Sequence, residues 1–167
     1  MEESQVGLDV GVLKRTTFIV RNAKESAAFY TSVFGWSIWY DDVLNADYRF
    51  PPSGAKDKAE VHLIILQAND PKLGKLGLLQ YIKSPFEIQE LEKRDQVRMC
   101  EPILVIETND IEGVHDRAVK AGATIVSAPV DWYVPGPEKE SSIHLRTVSF
   151  FDPNGIYMEV SDHPSRN

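Results

Sequence analysis

Glu159 lies between Met158 and Val160 in a run of strand-forming residues, which sets a carboxylate among apolar neighbours. There it can serve as an acid, a base or a ligand, according to its partner. His144, between Ile143 and Leu145, is the histidine best placed to exchange a proton near neutral pH. These two are the catalytic candidates. Trp132 and Tyr133 fall in a proline-rich segment, 128–140, that reads as a loop. Their flat rings suit a lid over an apolar or aromatic ligand, and equally an anchor for the loop itself. No two of the four histidines, His62, His115, His144 and His163, have close metal-ligand spacing. Cys100 is the single cysteine and has no local activating pattern. No phosphate-cradling glycine loop, dinucleotide fingerprint or nucleophile elbow is present.

The elements that must carry these residues repeat. Leu13 to Val20 reads as a strand, Asn22 as a helix N-cap answered by Glu25, and Phe29, Tyr30, Val33 and Phe34 as one apolar helical face. Gly35 supplies the left-handed stop, and Trp36 to Tyr40 resumes as strand. The order returns with Ile103 to Thr108, the cap Asp110, the face Ile111, Val114, Ala118 and Val119, the stop Gly122, and the strand Ala123 to Ser127. Strand-like segments follow each helix: Tyr48 to Phe50, Val61 to Leu66 and Leu76 to Ile82, then Ser142 to Phe151 and Ile156 to Ser161. Asp152-Pro153-Asn154-Gly155 joins the last two as a hairpin. The boundaries that result are a tail at 1–11, a first module at 12–83, a linker at 84–100 with a short helix over Ile88 to Arg94, a second module at 101–162 and a tail at 163–167. Neither half buries both faces of its sheet alone, so pairing the halves would close a shared cavity.

Charge and composition narrow the partners. A formal net charge of -7 argues against nucleic acid and anionic membranes, which need a basic surface. One cysteine permits no intrachain disulfide, no apolar run is long enough to span a bilayer, and residues 1–12 lack the pattern of a secretory signal. The expectation is a cytoplasmic protein whose partner is a small organic molecule, assembled as a homodimer.

Phe29-Tyr30 and Phe34-Gly35 after Val20-Arg21-Asn22, then Asp110-Ile111-Glu112 through Ala121-Gly122-Ala123 and Phe150 to Gly155 through Glu159, resemble the two modules of the glyoxalase / bleomycin resistance / extradiol dioxygenase superfamily. The resemblance covers Leu13 to Ser161 and implies an α+β fold of two βαβββ modules forming a paired-sheet, barrel-like cavity. It also implies metal ligands, commonly His, His and Glu, at the start of the first strand and the end of the last strand of each module. Counting back seven residues from the caps Asn22 and Asp110 reaches Arg15 and Ile103, neither of which binds a cation. The strand-end positions are Glu159 and, by a rougher match, Gln80. One carboxylate and one amide make no cage, so the expectation is a cavity without a metal or other cofactor. Arg15 would then face Glu159 in place of the cation, pairing with it or binding an anionic ligand.

Three functions follow from this. The first is a metal-independent small-molecule binder with Arg15, Gln80, Glu159, Trp132 and Tyr133 as ligand-binding residues. The second is a lyase, isomerase or dioxygenase-like enzyme with an irregular divalent-metal site centred on Glu159 and recruiting His144 or Gln80. The third is a non-catalytic dimeric interaction protein.

Overall fold

Asn22 and Asp110 each begin a helix, and in both cases the side chain holds the first turn. In the computed structural model, which describes residues 11–54, 58–86, 94–136, 138 and 141–163, Asn22 Oδ1 accepts from the amides of Lys24 at 3.0 Å and Glu25 at 3.1 Å. Its Nδ2 donates to Glu25 Oε1 at 2.8 Å, closing the cap reciprocally. Asp110 Oδ1 accepts from Gly113 N at 3.1 Å. The helices are α1, Ala23–Phe34, and α2, Ile111–Lys120. Gly35 ends α1 at φ 71°, a left-handed conformation that costs glycine nothing.

The strands are β1 (Arg15–Ile19), β2 (Ser37–Asn45), β3 (Glu60–Gln67), β4 (Lys75–Tyr81), β5 (Leu104–Glu107), β6 (Thr124–Pro135), β7 (Ser142–Phe151) and β8 (Tyr157–Asp162). They form two four-stranded sheets, ordered β1-β4-β3-β2 and β5-β8-β7-β6. β1 runs parallel to β4 and β5 parallel to β8, while each module's helix crosses from its first strand to the strand at the opposite edge, β1 to β2 and β5 to β6; the other pairs are antiparallel. Each half is therefore one βαβββ module of an α+β fold.

The two sheets are separate and do not close into a barrel. They are joined through their helices instead. One core takes Tyr30 and Val33 from α1, Val114 and Ala118 from α2, Ile64 and Leu78 from the first sheet, and Phe150, Met158 and Val160 from the second. Rings fill the middle of it: Tyr30 stacks on Trp36 at 5.7 Å, and Phe34 on Phe150 at 6.4 Å. Burying each such side chain contributes about 1.5–3 kcal/mol, so this shared core is what binds the modules together. Tyr30 Oη also donates to Asp152 Oδ2, and Arg117 Nε donates to Val33 O at 2.8 Å. A smaller cluster of Ala46, Val61, Leu79 and Tyr81 lies on the opposite face of the first sheet, with Phe50 packed against it.

Two segments differ from their sequence reading. Residues 128–135, expected in a loop, continue β6 and pair with β7 as far as Pro135 opposite Ser142. β6 is an edge strand, Pro129 falls within a register irregularity between Ser127 and Val130, and Pro135 ends it, which are the places where a sheet tolerates proline. Tyr48 to Phe50 is a turn, closed by Phe50 N donating to Asp47 O and held by Arg49 on the Asp47 carboxylate. Those bonds from Arg49 hold the Asp47 carboxyl at about 2. Residues 1–10 of the expected tail, 87–93 of the linker, which include 88–93 of its expected helix, and 164–167 lie outside the described residues. Arg94, at the linker's described end, donates to Gly155 O at 3.0 Å and reaches Glu101 Oε2 at 2.5 Å, tying 94–101 to the second module. Among the described residues no helix is long and apolar enough to cross a membrane.

Candidate functional site

Residues paired across a ladder share a face, and alternate residues along a strand change face. The helix-bearing face of the first sheet carries His62, Ile64 and Leu66 beside Gln80, Leu78 and Leu76. Its helix-free face carries Arg15, Thr17 and Ile19 beside Lys75, Gly77 and Leu79. In the second sheet Leu104, Ile106, Val148, Phe150, Met158 and Val160 face the helices, which leaves Val105, Thr147, Ser149, Glu159 and Ser161 on the other side. Arg15 and Glu159 are thus both on helix-free faces, but of different sheets. Because the sheets share a core through their helix-bearing faces, these faces turn away from each other within one chain. The expected opposition of Arg15 and Glu159 across an enclosed cavity is not present.

Gln80 is separated from both. It lies on the helix-bearing face, and its Oε1 accepts from Ala23 N at 3.0 Å, satisfying one of the free amides at the start of α1. The register also corrects its equivalence. Val20 N donates to Leu79 O two residues before the cap Asn22, and Thr108 N donates to Ser161 O two residues before the cap Asp110. Leu79 therefore corresponds to Ser161, Gln80 to Asp162, and Gly77 to Glu159. Counting along the sequence missed this, because the spacing from helix to last strand differs between the modules. The signal that finds it is the hydrogen-bond register.

The pair Trp132 and Tyr133 is divided by strand alternation. Trp132 shares the face of Glu159, with Nε1 donating to Thr147 Oγ1 at 2.8 Å and that oxygen lying 3.1 Å from Ser161 Oγ. Tyr133 is on the other face, stacked on His144 at 4.8 Å between ring centroids. His144 Nε2 is 2.9 Å from Asp131 Oδ1, and Arg146 bridges Asp131 to Glu112 of α2. The His144 hydrogen bond and then the Arg146 charge hold the Asp131 carboxyl below its ordinary range. His144 is therefore part of a charged network on the opposite side of the sheet from Glu159, and the two do not meet. His62 lies 2.5 Å from Asp41 on the helix-bearing face.

Two grooves of about 730 Å³ occur elsewhere. One runs between the modules past Thr16, Trp36, Ile106 and Arg117, beside the edges of β1 and β5. The other lies between α1 and the turn at Pro153 and Asn154. A smaller hollow of about 340 Å³ opens on the helix-free face of the first sheet at Lys14, Arg15, Trp39 and Lys75.

A family model, that of the Glyoxalase/Bleomycin resistance protein/Dioxygenase superfamily, matches residues 12–160. The chain belongs to this superfamily. Solved structures agree on the fold. A glyoxalase family protein from Bacillus cereus is similar over 96% of this chain and 98% of its own, with a TM-score of 0.69 at 13% identity. A glyoxalase/bleomycin resistance protein/dioxygenase family enzyme from Burkholderia phytofirmans is similar over 92% and 99%, with a TM-score of 0.53 at 15% identity. An integron cassette protein from V. cholerae gives 93%, 98%, 0.53 and 20%. No curated protein matches the chain.

The four positions at which the superfamily resemblance implies ligands are Arg15, Gly77, Ile103 and Glu159, and this donor set does not fit a cation. A guanidinium, a hydrogen atom and an aliphatic side chain donate nothing, and one carboxylate alone leaves a metal unheld. Among the described residues there is no group of three or more His, Cys, Asp or Glu side chains able to hold one.

Proposed function

We propose that this superfamily member binds a small organic molecule on its helix-free sheet faces, without a metal. The observation that carries the reading is the equivalence of Gly77 with Glu159: the second module keeps a carboxylate at its strand end, and the first module has no side chain there. Around Glu159 the same face offers Ser149, Ser161, Thr147 and the half-exposed Trp132. That is a surface of hydroxyls, one acid and one indole, suited to orienting a polar aromatic compound. The metal-dependent enzyme has less support, because His144 and Gln80 are both on the opposite faces of their sheets.

A second copy of the chain completes this reading. β1 and β5 are terminal strands of their sheets, each with one edge unpaired among the described residues. Ile19, Ile103 and Val105 beside those edges are 45%, 45% and 73% exposed. Unpaired edges flanked by apolar side chains favour strand pairing, and β1 of one copy with β5 of another would bring Arg15 and Glu159 faces into one curved surface.

The test is metal analysis of protein prepared without chelator, together with a thermal-shift screen of small aromatic and dicarbonyl compounds against wild type and Glu159→Ala. Metal-free protein whose Tm rises with aromatic compounds is expected. Stoichiometric metal held by the wild type and lost from Glu159→Ala would overturn the reading.

A further inference from the structure

The hollow on the helix-free face of the first sheet has an unusual lining for a chain of net charge -7: three cations, one indole and no carboxylate. Lys75 is only 7% exposed. Its ammonium lies 4.5 Å from the centre of the Trp39 ring and donates to Pro71 O at 2.6 Å. Among the described residues no carboxylate is within ion-pair distance of Lys14, Arg15 or Lys75. Asp70 feels the Lys75 charge, but its carboxyl is already held by the amides of Lys72 and Leu73. A cation this buried is normally paired, so an ammonium resting on one carbonyl and one ring has unused capacity for an anion.

Trp39 is placed there by the backbone. β2 pairs with β3 in regular register except between Ile38 and Tyr40, where Ile38 faces Leu66 and Tyr40 faces the adjacent Ile65. Trp39 is the extra residue of a bulge, the device by which a strand re-aims one side chain. The bulge turns a large ring out beside Lys75 and leaves it 57% exposed. One part of the indole is covered by the ammonium, and the remainder is open to a second ring.

We infer that Lys14, Arg15, Trp39 and Lys75 form a binding site for a small aromatic anion, with the ligand ring against Trp39 and its carboxylate or phosphate taken by the Arg15 fork and the Lys14 and Lys75 ammonium groups. This rests on the proposed small-molecule reading and gives it a ligand class. The volume of about 340 Å³ suits a single substituted ring. Arg15 supplies the planar, two-pronged donor that fixes the anion's orientation, and the lysines supply point charges.

Isothermal titration of the full chain with benzoate, phenyl phosphate, inorganic phosphate and the neutral isostere benzamide tests it. The expected result is binding of benzoate or phenyl phosphate that weakens with added salt, is at least about tenfold tighter than benzamide, and falls by at least about tenfold in both Arg15→Gln and Trp39→Leu. Which of the two aryl anions binds tighter separates a carboxylate site from a phosphate site. Benzamide binding as tightly as benzoate would overturn the anion assignment and leave the small-molecule reading standing. Inorganic phosphate binding as tightly as phenyl phosphate would overturn the role of Trp39. No binding by either aryl anion would overturn the site, and the unbiased thermal-shift screen then decides the broader reading independently.

Discussion

The Tyr30 hydroxyl of α1 donates to Asp152 Oδ2, 3.0 Å away in the hairpin of the other module, and both residues are buried. Burial raises the Asp152 carboxyl above its ordinary value, while the Tyr30 hydroxyl and the amides of Ile156 and Asn154 favour its charged form. Tyr30→Phe removes one of those donors without removing the ring. We expect a loss of about 1.5–3 kcal/mol in urea unfolding, the usual worth of a hydrogen bond to a charged group. The sign with pH follows from the carboxyl. Losing a donor raises the folded-state value further, and a group raised on folding loses its stabilisation as pH rises through that value. The penalty of Tyr30→Phe should therefore be larger at pH 8 than at pH 5. An equal penalty at both would show that the charge on Asp152 does not change between them.

This contact also shows what a sequence can and cannot disclose. Asn22, Asp110, Gly35 and the Asp152 to Gly155 turn were legible because their chemistry is local: a cap or turn residue acts within four positions of itself. The repeated module was legible for the same reason. That Gln80 serves α1, that Gly77 matches Glu159, and that Trp132 and Tyr133 part to opposite faces were not, because each depends on which strand lies alongside and in which register. The proline-rich 128–135 misled, because proline argues against a strand only where both edges are paired, and among the described residues β6 is an edge strand. Nothing local to Leu13 to Val20 or Ile103 to Thr108 indicates that the two sheets join through their helices rather than through β1 and β5.

Gly77 is small for a reason besides its place in the site. A Cβ built there would meet Thr17 Oγ1 at 2.5 Å and Thr17 Cγ2 at 3.1 Å, across the parallel pair of β1 and β4. Gly77→Ala should lower stability by about 1–3 kcal/mol, as overpacking does. Adding Thr17→Ala removes Oγ1, the closest atom, together with Cγ2, leaves Cβ at 3.1 Å, and should restore part of it. A double-mutant cycle in urea checks this; strictly additive losses would mean that Thr17 is not the obstacle.

Glu101 anchors the described end of the linker, accepting from Arg94 Nη2 and from Arg98 N at 2.9 Å. Those bonds, Arg94 first, hold its carboxyl below the ordinary range. A carboxyl lowered on folding stabilises above its unfolded value and loses that contribution as pH falls through the folded one. The protection factor of the Arg98 amide should fall on acidification, and in Glu101→Ala it should be low already at neutral pH. Hydrogen exchange at several pH values measures both, and a pH-independent protection factor in the wild type would contradict the assignment.

Val105 bears on the pairing of two chains. At 73% exposure on terminal strand β5 it contributes nothing to the chain's own core. Val105→Arg should leave the Tm of a dilute sample nearly unchanged, since exposed substitutions away from special features usually move stability by about 0.5 kcal/mol or less. If β5 pairs with β1 of another copy, the same change should convert a dimer to a monomer in sedimentation velocity, by placing a charge where the partner strand docks. A dimer that survives Val105→Arg unaltered would put its interface elsewhere.

Trp132 and Tyr133 give the sharpest separation of the two sides of the second sheet, since a single backbone step divides them. Trp132 lies with Glu159 and is held by Thr147, while Tyr133 stacks on His144 over the Asp131, Arg146 and Glu112 network. For aromatic compounds that raise the wild-type Tm, Trp132→Ala and Glu159→Gln should reduce the shift, because both side chains border the proposed ligand surface. Tyr133→Ala and His144→Ala should leave it unchanged while lowering the Tm of the free protein slightly. The comparison isolates the face that binds, because all four residues are on neighbouring strands of one sheet and differ chiefly in the side to which they point. If His144→Ala removes the shift and Glu159→Gln does not, the ligand occupies the helix-bearing side, and the binding surface assigned to Glu159 is wrong.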